Sequence, residues 1–335
     1  MDLKSNGSRR TFLQHAALGT ALASLMLAAV TAFAQVDNWP TRPLKLICGY
    51  PPGSSPDLLA RLVAEHLAKS LGQPVVVDNK PGAGGNIGAD LIAKADDGYT
   101  IGIIGNGPLT SSKFLYAKLA YDPARDFAPI AMVGSAPLVW VAPKAAVSGS
   151  VSDYIRSMKA AGDKANYGSI GPGSGSHLAM ELIKESLGLQ AVHIPFAGGP
   201  AILNAMLGGE IQMTLLPGST VAPFVQSGKL AAIAVTTSAR SPLSPDVPSM
   251  SDIGAKGVDI EVWNAIMAPA KMPAAHQVKL NTEIAKILNT KEVKDKLFQL
   301  GWKVEDTSQK SLTDRIHSDT ATYGALIKAK GYKLD

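Results

Sequence analysis

Short apolar runs alternate along the chain with longer stretches in which apolar residues recur every three or four positions. The first such pair is the run LKLICGY at residues 44–50, followed by Leu59, Leu62, Val63 and Leu67. Runs of the first kind are typical of buried strands, and the second spacing is typical of amphipathic helices. Their alternation is the pattern of parallel sheets with helices on both faces, so the sequence predicts an α/β fold.

The same patterns predict the order of elements. Strands are expected over 44–50, 75–79, 100–106, 166–170, 192–196, 211–216, 230–237 and 258–268. Helices are expected over 55–71, 86–94, 151–161, 177–187, 200–207, 274–288, 292–300 and 311–328, with a short one ending at 227. Ser55 is predicted to cap the first helix, with Pro56 at its first position. A chain of this length usually divides its core. We therefore predict two α/β lobes, residues 35–137 with 260–335 and residues 138–259, joined by extended crossings at 130–143 and 258–269.

The N-terminal segment has the features of an export signal. Lys4, Arg9 and Arg10 precede an uncharged run that ends in the small-x-small sequence Ala32-Phe33-Ala34. This is typical of a signal peptide over residues 1–34 that is removed near Ala34. The paired arginines favour the twin-arginine route, and an ordinary Sec signal is the alternative. Either route predicts a periplasmic protein.

Charge and cysteine content exclude several classes of protein. The formal net charge is +5 at pH 7, and no cluster of basic residues occurs, so nucleic acid is not an expected partner. The single cysteine, Cys48, rules out an intramolecular disulfide. It lies within an apolar run, so we predict a buried and inert thiol.

Two glycine- and serine-rich segments each follow a predicted strand and begin a helix. They are YPPGSSPD at residues 50–57 and SIGPGSGSH at residues 169–177. A catalytic serine would favour the pattern G-x-S-x-G, a phosphate loop would end in G-K-[ST], and neither is present. The histidines are scattered without metal-ligand spacing, so no metal and no cofactor are expected. A partner histidine for a serine elsewhere in the fold is left open.

Both segments suit an organic anion. The first turn of a helix carries unpaired N–H groups and a partial positive charge, glycines allow close approach, and serines add hydroxyl donors. Ligands of open α/β sheets bind at the carboxyl ends of strands, which is where both segments lie. The sequence therefore predicts a carboxylate held between two lobes.

An ordered set of short motifs resembles one known family over essentially the whole mature length. The motifs are Trp39–Pro43, Pro51–Asp57, Leu71–Val77, Pro81–Gly88, Asp97–Thr100, Tyr121–Pro123, Asp126–Pro129, Asn166–Ser169, Ser176–Leu178, His193–Phe196, Gly228–Leu230 and Asp246–Ser249. Together they are similar to the Bug-type solute receptors of tripartite tricarboxylate transporters. The resemblance implies the type II periplasmic binding-protein fold, two α/β lobes joined by two crossing strands, which close on a ligand.

The resemblance also implies the ligand, the partners and the site. The ligand would be a small organic carboxylate, delivered by a non-enzymatic monomer to the membrane permease subunits of a tripartite transporter. A sensor kinase is the alternative partner, and a periplasmic hydrolase using Ser174 or Ser176 is the alternative function. The implied ligand-binding residues are Tyr50, Pro52, Gly53, Ser54, Ser55, Asp57, Gly105, Asn106, Ser169, Gly173, Ser174, Ser176, His177, Phe196, Ala197, Gly198 and Trp263. For Trp263 a place in the core of the hinge is the alternative.

Two departures from the family pattern concern the second lobe. A frequent lysine is replaced within Pro195-Phe196-Ala197-Gly198, and a frequent acid near Leu216 is absent. The wall should then be more apolar, which favours a ligand with an apolar or aromatic body packed by Phe196 and Trp263. Asp57 is expected to act at the helix terminus, since a carboxylate would repel an anionic ligand unless water bridged the two.

Overall fold

The structure is a computed structural model that describes residues 38–333. Every element below belongs to one compact unit that begins at Arg42. The predicted signal peptide over residues 1–34, its twin arginines and its cleavage near Ala34 lie outside the described residues and stay predictions. Within residues 38–333, no helix combines the length and apolar character needed to cross a bilayer.

The strands and helices follow the predicted order. The strands are β1 (Leu44–Cys48), β2 (Val75–Asn79), β3 (Thr100–Gly105), β4 (Phe127–Pro143), β5 (Asn166–Ser169), β6 (Val192–Pro195), β7 (Met213–Pro217), β8 (Leu230–Val235) and β9 (Glu261–Pro269). The helices are α1 (Ser55–Leu71), α2 (Asn86–Ala93), α3 (Asn106–Thr110), α4 (Ser112–Leu115), α5 (Val151–Ala161), α6 (Gly175–Leu187), α7 (Gly199–Leu207), α8 (Gly218–Gln226), α9 (Ala274–Asn289), α10 (Lys291–Gln299) and α11 (Gln309–Lys330).

The strands form two sheet regions that share one long strand. The order is β2-β1-β3-β9-β4-β7-β5-β6, and β8 also pairs with β4. In lobe 1, β1 lies parallel to β2 and β3, and in lobe 2, β5 lies parallel to β6 and β7. Parallel pairing with helical connections is the predicted α/β architecture, and it is confirmed here.

The strands β4 and β9 connect the lobes. Residues 127–137 of β4 pair antiparallel with β9, and from Leu138 onward β4 pairs with β7 and β8. The change of partner falls between Pro137, opposite Glu261, and Leu138, opposite Pro217. Both crossings were predicted, although β4 begins three residues earlier than expected and β9 begins three residues later.

Each lobe buries its own apolar cluster. One cluster packs Ile47, Ile104 and Met267 around β1, β3 and β9 in lobe 1. A second cluster, which includes Ile202, lies in lobe 2, and a third, which includes Trp140, lies mainly in lobe 2 but extends to Tyr323 of lobe 1. Cys48 lies in the lobe 1 sheet with no exposed surface, and burial raises the pKa of its thiol to about 12. The predicted burial of the thiol is therefore confirmed, and a thiol that stays protonated is a poor nucleophile.

Two local predictions were wrong. The N-cap of α1 is Ser54 rather than Ser55, and Pro56 occupies the second helical position. No helix was predicted for the chain directly after β3, but this segment forms the short helices α3 and α4. Their residues are almost all buried and include no periodic apolar pattern, so tertiary packing rather than local periodicity determines them.

Candidate functional site

A cavity lies between the lobes, at the carboxyl ends of β1, β3, β5 and β7. It encloses about 620 Å³ together with its mouth. Its walls come from both lobes, from the crossing strands and from Trp302 in the segment between α10 and α11. This is the position at which α/β sheets bind ligands.

Nine of the residues implied by the resemblance line this cavity. They are Tyr50, Ser54, Ser55, Gly105, Asn106, Ser174, Ser176, Gly198 and Trp263. Eight lie outside its lining: Pro52, Gly53, Asp57, Ser169, Gly173, His177, Phe196 and Ala197. For all seventeen residues, contact with a ligand stays a prediction. The hydrogen bonds of several of them show how they hold the loops in place.

Five helices of the described chain begin at the cavity wall. Lining residues include Ser55 at the start of α1, Asn106 at the start of α3, Gly175 at the start of α6, Gly199 at the start of α7, and Pro217, the N-cap of α8. The first N–H groups of a helix have no partner within it and carry partial positive charge. Within the described chain, no residue that lines the cavity has a charged side chain. The positive potential of the site therefore comes from backbone dipoles.

The segment Tyr50–Asp57, here called loop 1, is anchored from behind by the Asp57 carboxylate. Its oxygens accept hydrogen bonds from the Gly53 amide at 2.9 Å, from Asn79 Nδ2 at 2.8 Å and from Arg61 Nε at 3.0 Å. Burial alone would raise the pKa of Asp57, but the bonds from Arg61, Asn79 and Gly53 outweigh it, so the pKa is lowered. Asp57 therefore orders the loop as an anion.

The two serines of loop 1 have different environments. Ser55 Oγ accepts a hydrogen bond from Trp302 Nε1 at 2.9 Å, which ties the loop to the C-terminal part of the chain. Ser54 holds the N-cap position of α1, but its side chain makes no capping hydrogen bond. Its hydroxyl is buried in the cavity wall, 4% of the residue being exposed.

The segment Ser169–His177, here called loop 2, is held by hydroxyls and an imidazole. Ser174 caps α6, because its Oγ accepts from the His177 amide at 3.3 Å and donates to the Gly171 carbonyl at 2.6 Å. Ser176 Oγ accepts from the Ile170 amide at 3.2 Å. His177 Nδ1 accepts from the Gly173 amide at 3.1 Å, so this imidazole braces the loop.

A stack of aromatic rings supports loop 2 from the side away from the cavity. The rings of His177 and His193 lie 4.2 Å apart, and those of His193 and Tyr167 lie 4.9 Å apart. His193 Nε2 is 2.7 Å from Ser169 Oγ, a pair that lies behind the loop with Ser169 fully buried. Burial lowers the pKa of both imidazoles, that of His193 to about 4.

These contacts bear on the hydrolase alternative. Among the hydrogen bonds of the described residues, none joins Ser174 or Ser176 to an imidazole nitrogen. The adjacent His177 uses its Nδ1 to accept the Gly173 amide. A serine nucleophile needs a base that accepts its proton, and this arrangement offers none at either position.

Phe196 and Trp263 were predicted to pack the ligand body. Phe196 packs instead into the lobe 2 cluster, where one of its ring carbons would lie 3.2 Å from a Cβ built on Gly168. Trp263 is fully buried within the lobe 1 cluster, and its Nε1 donates to Asp319 Oδ2 at 2.6 Å. Trp263 lines the cavity, so of the two only Phe196 lies away from it.

The two lobes touch around the cavity. Ser111 Oγ, from lobe 1, donates to the Gly173 carbonyl of loop 2 at 2.7 Å. A Cβ added to Gly171 would lie 3.0 Å from Gly84 Cα, and one added to Gly175 would lie 2.3 Å from Val262 Cγ1. Glycine is needed at these positions because the opposite lobe leaves no room for a side chain.

The sequence reasoning missed several residues of the cavity. The apolar wall includes Leu138, Leu215 and Val262, and the polar positions Thr220 and Asn264 also face it. One signal was available for Asn264, because an asparagine in the apolar run EVWNAIMAP is unusual for a buried strand. Trp302 had no comparable signal, since it reaches the site only through folding of the C-terminal segment.

Comparison with known proteins places the chain in a family. The model of the "Tripartite tricarboxylate transporter family receptor" matches residues 59–332. The chain is similar to BugT of Bordetella pertussis (strain Tohama I), with 33% identity over 310 residues, or 92% of this chain and 95% of BugT.

Two solved structures have the same fold. A protein of R. palustris solved with adipate has a TM-score of 0.85 at 30% identity, covering 88% of this chain and 100% of that one. MatC of Rhodopseudomonas palustris, with bound malate, has a TM-score of 0.81 at 27% identity, covering 86% and 100%. Two α/β lobes joined by crossing strands, the type II periplasmic binding-protein fold, are therefore confirmed.

Proposed function

The chain belongs to the tripartite tricarboxylate transporter receptor family, and on this premise we propose that it captures an organic carboxylate and delivers it to a tripartite transporter permease. In this proposal the protein is exported through its N-terminal signal and works in the periplasm. The lobes, residues 35–137 with 260–335 and residues 138–259, close on the ligand. Closure stabilises the bound state because the ligand contacts both lobes only when they are shut.

One observation carries the proposal. Helix N-termini from both lobes surround a cavity in which no lining residue of the described chain has a charged side chain. Backbone N–H groups and hydroxyls there can hold a carboxylate without a lysine or arginine. The relatives solved with adipate and with malate support a carboxylate as the class of ligand.

The wall opposite loop 1 supports an apolar ligand body. Leu215 and Leu216 at the end of β7 line the cavity, with Val262 beside them on β9. Burying apolar ligand surface against them contributes about 25 cal/mol per Å². We therefore propose an acid with an aliphatic or aromatic body, rather than a compact ligand that is polar throughout.

A thermal-shift screen of the purified chain tests this function. Aliphatic dicarboxylates, benzoates and acidic amino acids would be compared with the matching amides. An acid at about 100 times its dissociation constant adds about 2.7 kcal/mol to the apparent stability, so its melting midpoint should rise while that of the amide should not. Equal shifts for acids and amides would contradict the anion site, and isothermal titration would then measure the affinities directly.

The variant Gly175→Ala tests closure. The added methyl would lie 2.3 Å from Val262 Cγ1, so it should obstruct the closed state while leaving each lobe intact. We expect the affinity for the acid found in the screen to fall by about 10- to 100-fold, which corresponds to about 1.4 to 2.7 kcal/mol. The control is Gly208→Ala at the end of α7, where the nearest atom would be 3.3 Å away. Equal affinities for both variants would overturn closure as the mechanism.

A further inference from the structure

Two buried polar atoms of the cavity wall have no partner. They are Ser54 Oγ and Asn264 Oδ1, and neither has a hydrogen-bond partner among residues 38–333. Each residue is 4% exposed, and both line the cavity. Buried polar groups in folded proteins are nearly always hydrogen-bonded, so both atoms indicate contacts made by a bound ligand.

The surroundings of Asn264 explain why no protein group reaches it. In β9 it lies opposite Gly105 of β3 on one side and Gly134 of β4 on the other. A Cβ on Gly105 would lie 3.5 Å from Asn264 Oδ1, so any larger residue there would cover the amide. The glycine at position 105 thus leaves the space next to the Asn264 side-chain oxygen free of a protein side chain.

Ser54 differs from its counterpart in loop 2. Both serines are the N-cap residues of their helices, but Ser174 makes a capping bond and Ser54 makes none. The hydroxyl of Ser54 is therefore available as a donor beside the unpaired first amides of α1. This end of the cavity suits the ligand carboxylate.

Asn264 Oδ1 requires the opposite chemistry. A carbonyl oxygen only accepts hydrogen bonds, so it would repel a carboxylate and needs a donor on the ligand. An ammonium group would meet the partial positive charge of several helix N-termini, with no carboxylate lining the cavity in the described chain to balance it. A neutral hydroxyl group can donate a hydrogen bond to this oxygen and carries no charge that the helix N-termini would repel.

We propose that Asn264 determines specificity by accepting a hydrogen bond from a hydroxyl group on the ligand, so that the receptor prefers hydroxylated carboxylic acids. This inference rests on the proposed carboxylate function and narrows it. The carboxylate lies at Ser54 and the N-terminus of α1, the apolar body lies against Leu215 and Val262, and the hydroxyl points to β9.

Matched sets of acids test the proposal by isothermal titration. The sets are benzoate with 4-hydroxybenzoate and 4-methoxybenzoate, and succinate with malate and oxaloacetate. In at least one set the hydroxy acid should bind about tenfold more tightly than both partners, which is the contribution of one well-formed hydrogen bond. Equal affinities within both sets, or preference for the methoxy or keto acid, would overturn it, because the amide would then be presenting its NH₂ group.

The variant Asn264→Leu identifies the residue responsible. It should abolish the difference in affinity between the hydroxy acid and the unsubstituted acid. The control Asn204→Leu makes the same change at an exposed position of α7 and should preserve the preference. A preference that survives Asn264→Leu would overturn the assignment.

The outcomes separate this inference from the function on which it rests. Binding of acids without any hydroxyl preference removes the role of Asn264 and leaves the carboxylate receptor in place. Failure of every acid to bind, with a normal melting transition, overturns both. The comparison within the unmodified protein does not depend on whether Asn264→Leu folds.

Discussion

Loop 1 and loop 2 have nearly the same sequence design but are held in place by different chemistry. Each follows a strand, contains glycine and serine, and begins a helix that faces the cavity. Loop 1 is anchored by the anionic Asp57 carboxylate, whereas loop 2 is anchored by the imidazole of His177 and the hydroxyl of Ser174. Similar composition therefore places two backbones similarly while giving them different responses to mutation and to pH.

The difference also divides the work of binding. In loop 2 the capping serine Ser174 is used internally, because its Oγ accepts a hydrogen bond from the His177 amide. In loop 1 the side chain of the N-cap residue Ser54 makes no capping hydrogen bond, and Asp57 orders the loop by accepting the Gly53 amide. A charged anchor behind the loop thus replaces the cap and leaves Ser54 for the ligand.

The largest expected effect comes from Asp57→Asn. Asparagine has the same shape but no charge. Its NH₂ group is a donor, so this group cannot accept the hydrogen bonds that Gly53, Asn79 and Arg61 donate to the carboxylate. Because Asp57 is 1% exposed, we expect the free energy of unfolding to fall by about 2–4 kcal/mol. Urea unfolding measures the change, and titration with the acid from the screen should show lost binding.

The matched control for that variant is Asp153→Asn. Asp153 also accepts a backbone N–H bond at the start of a helix, in the capping box of α5, but it is exposed. Its replacement should change stability far less and leave binding unchanged. Similar losses for the two variants would mean that loop 1 does not depend on the buried Asp57 anchor.

A smaller effect separates the two capping serines. Ser174→Ala removes a capping hydrogen bond and should lower the free energy of unfolding by about 1 kcal/mol. Ser54→Ala removes a hydroxyl without a protein partner within the described residues, so ligand-free stability should change by less than about 0.5 kcal/mol. Thermal unfolding with and without the acid measures both. Ser54→Ala should instead weaken acid binding, and the reverse pattern would contradict the division of roles.

Much of this architecture follows from the sequence pattern, because the spacing of apolar residues and the residues that end helices depend only on neighbouring positions. The buried strands around Leu46 and Ile103 were recognisable from apolar runs, and the end of α1 was recognisable from Gly72, which adopts the left-handed conformation that glycine favours. The position of the N-cap of α1 could not be predicted to the residue. Both Ser54 and Ser55 are good capping residues, and only the fold decides which one occupies the position.

The chemistry of the site could be predicted only in part. Both loops were found from glycine and serine next to strand ends, which depends on neighbouring residues alone. The bond from Trp302 to Ser55 joins residues 247 positions apart, and the two glycines beside Asn264 come from different strands. Such contacts depend on strand order, which composition does not encode. The place of Phe196 outside the cavity lining could not be predicted for the same reason, since its direction depends on the packing of lobe 2.

Acidification distinguishes the two anchors by the pH window in which each one loses its stabilising effect. Burial lowers the pKa of His177 and His193, the latter to about 4 from an ordinary value of 6.5. The unfolded chain therefore binds more protons than the folded chain within this window, so the free energy of unfolding should fall as the pH falls from 6.5 to about 4. The lowered pKa of Asp57 has its effect only below its ordinary value of 3.8, so loop 1 should stay intact over that window.

The variant His177→Asn separates the imidazole from the other groups that face it. Glu181 and Lys184 also lie near the stacked rings, and they raise and lower the pKa of His177 respectively. Asparagine can still accept the Gly173 amide through Oδ1 but does not titrate, so the decline in melting midpoint between pH 6.5 and 4 should become shallower. An unchanged slope would show that His177 does not cause the acid sensitivity. The acid sensitivity would then be assigned to His193, whose Nε2 lies 2.7 Å from Ser169 Oγ, while Asp57 stays charged over this pH window.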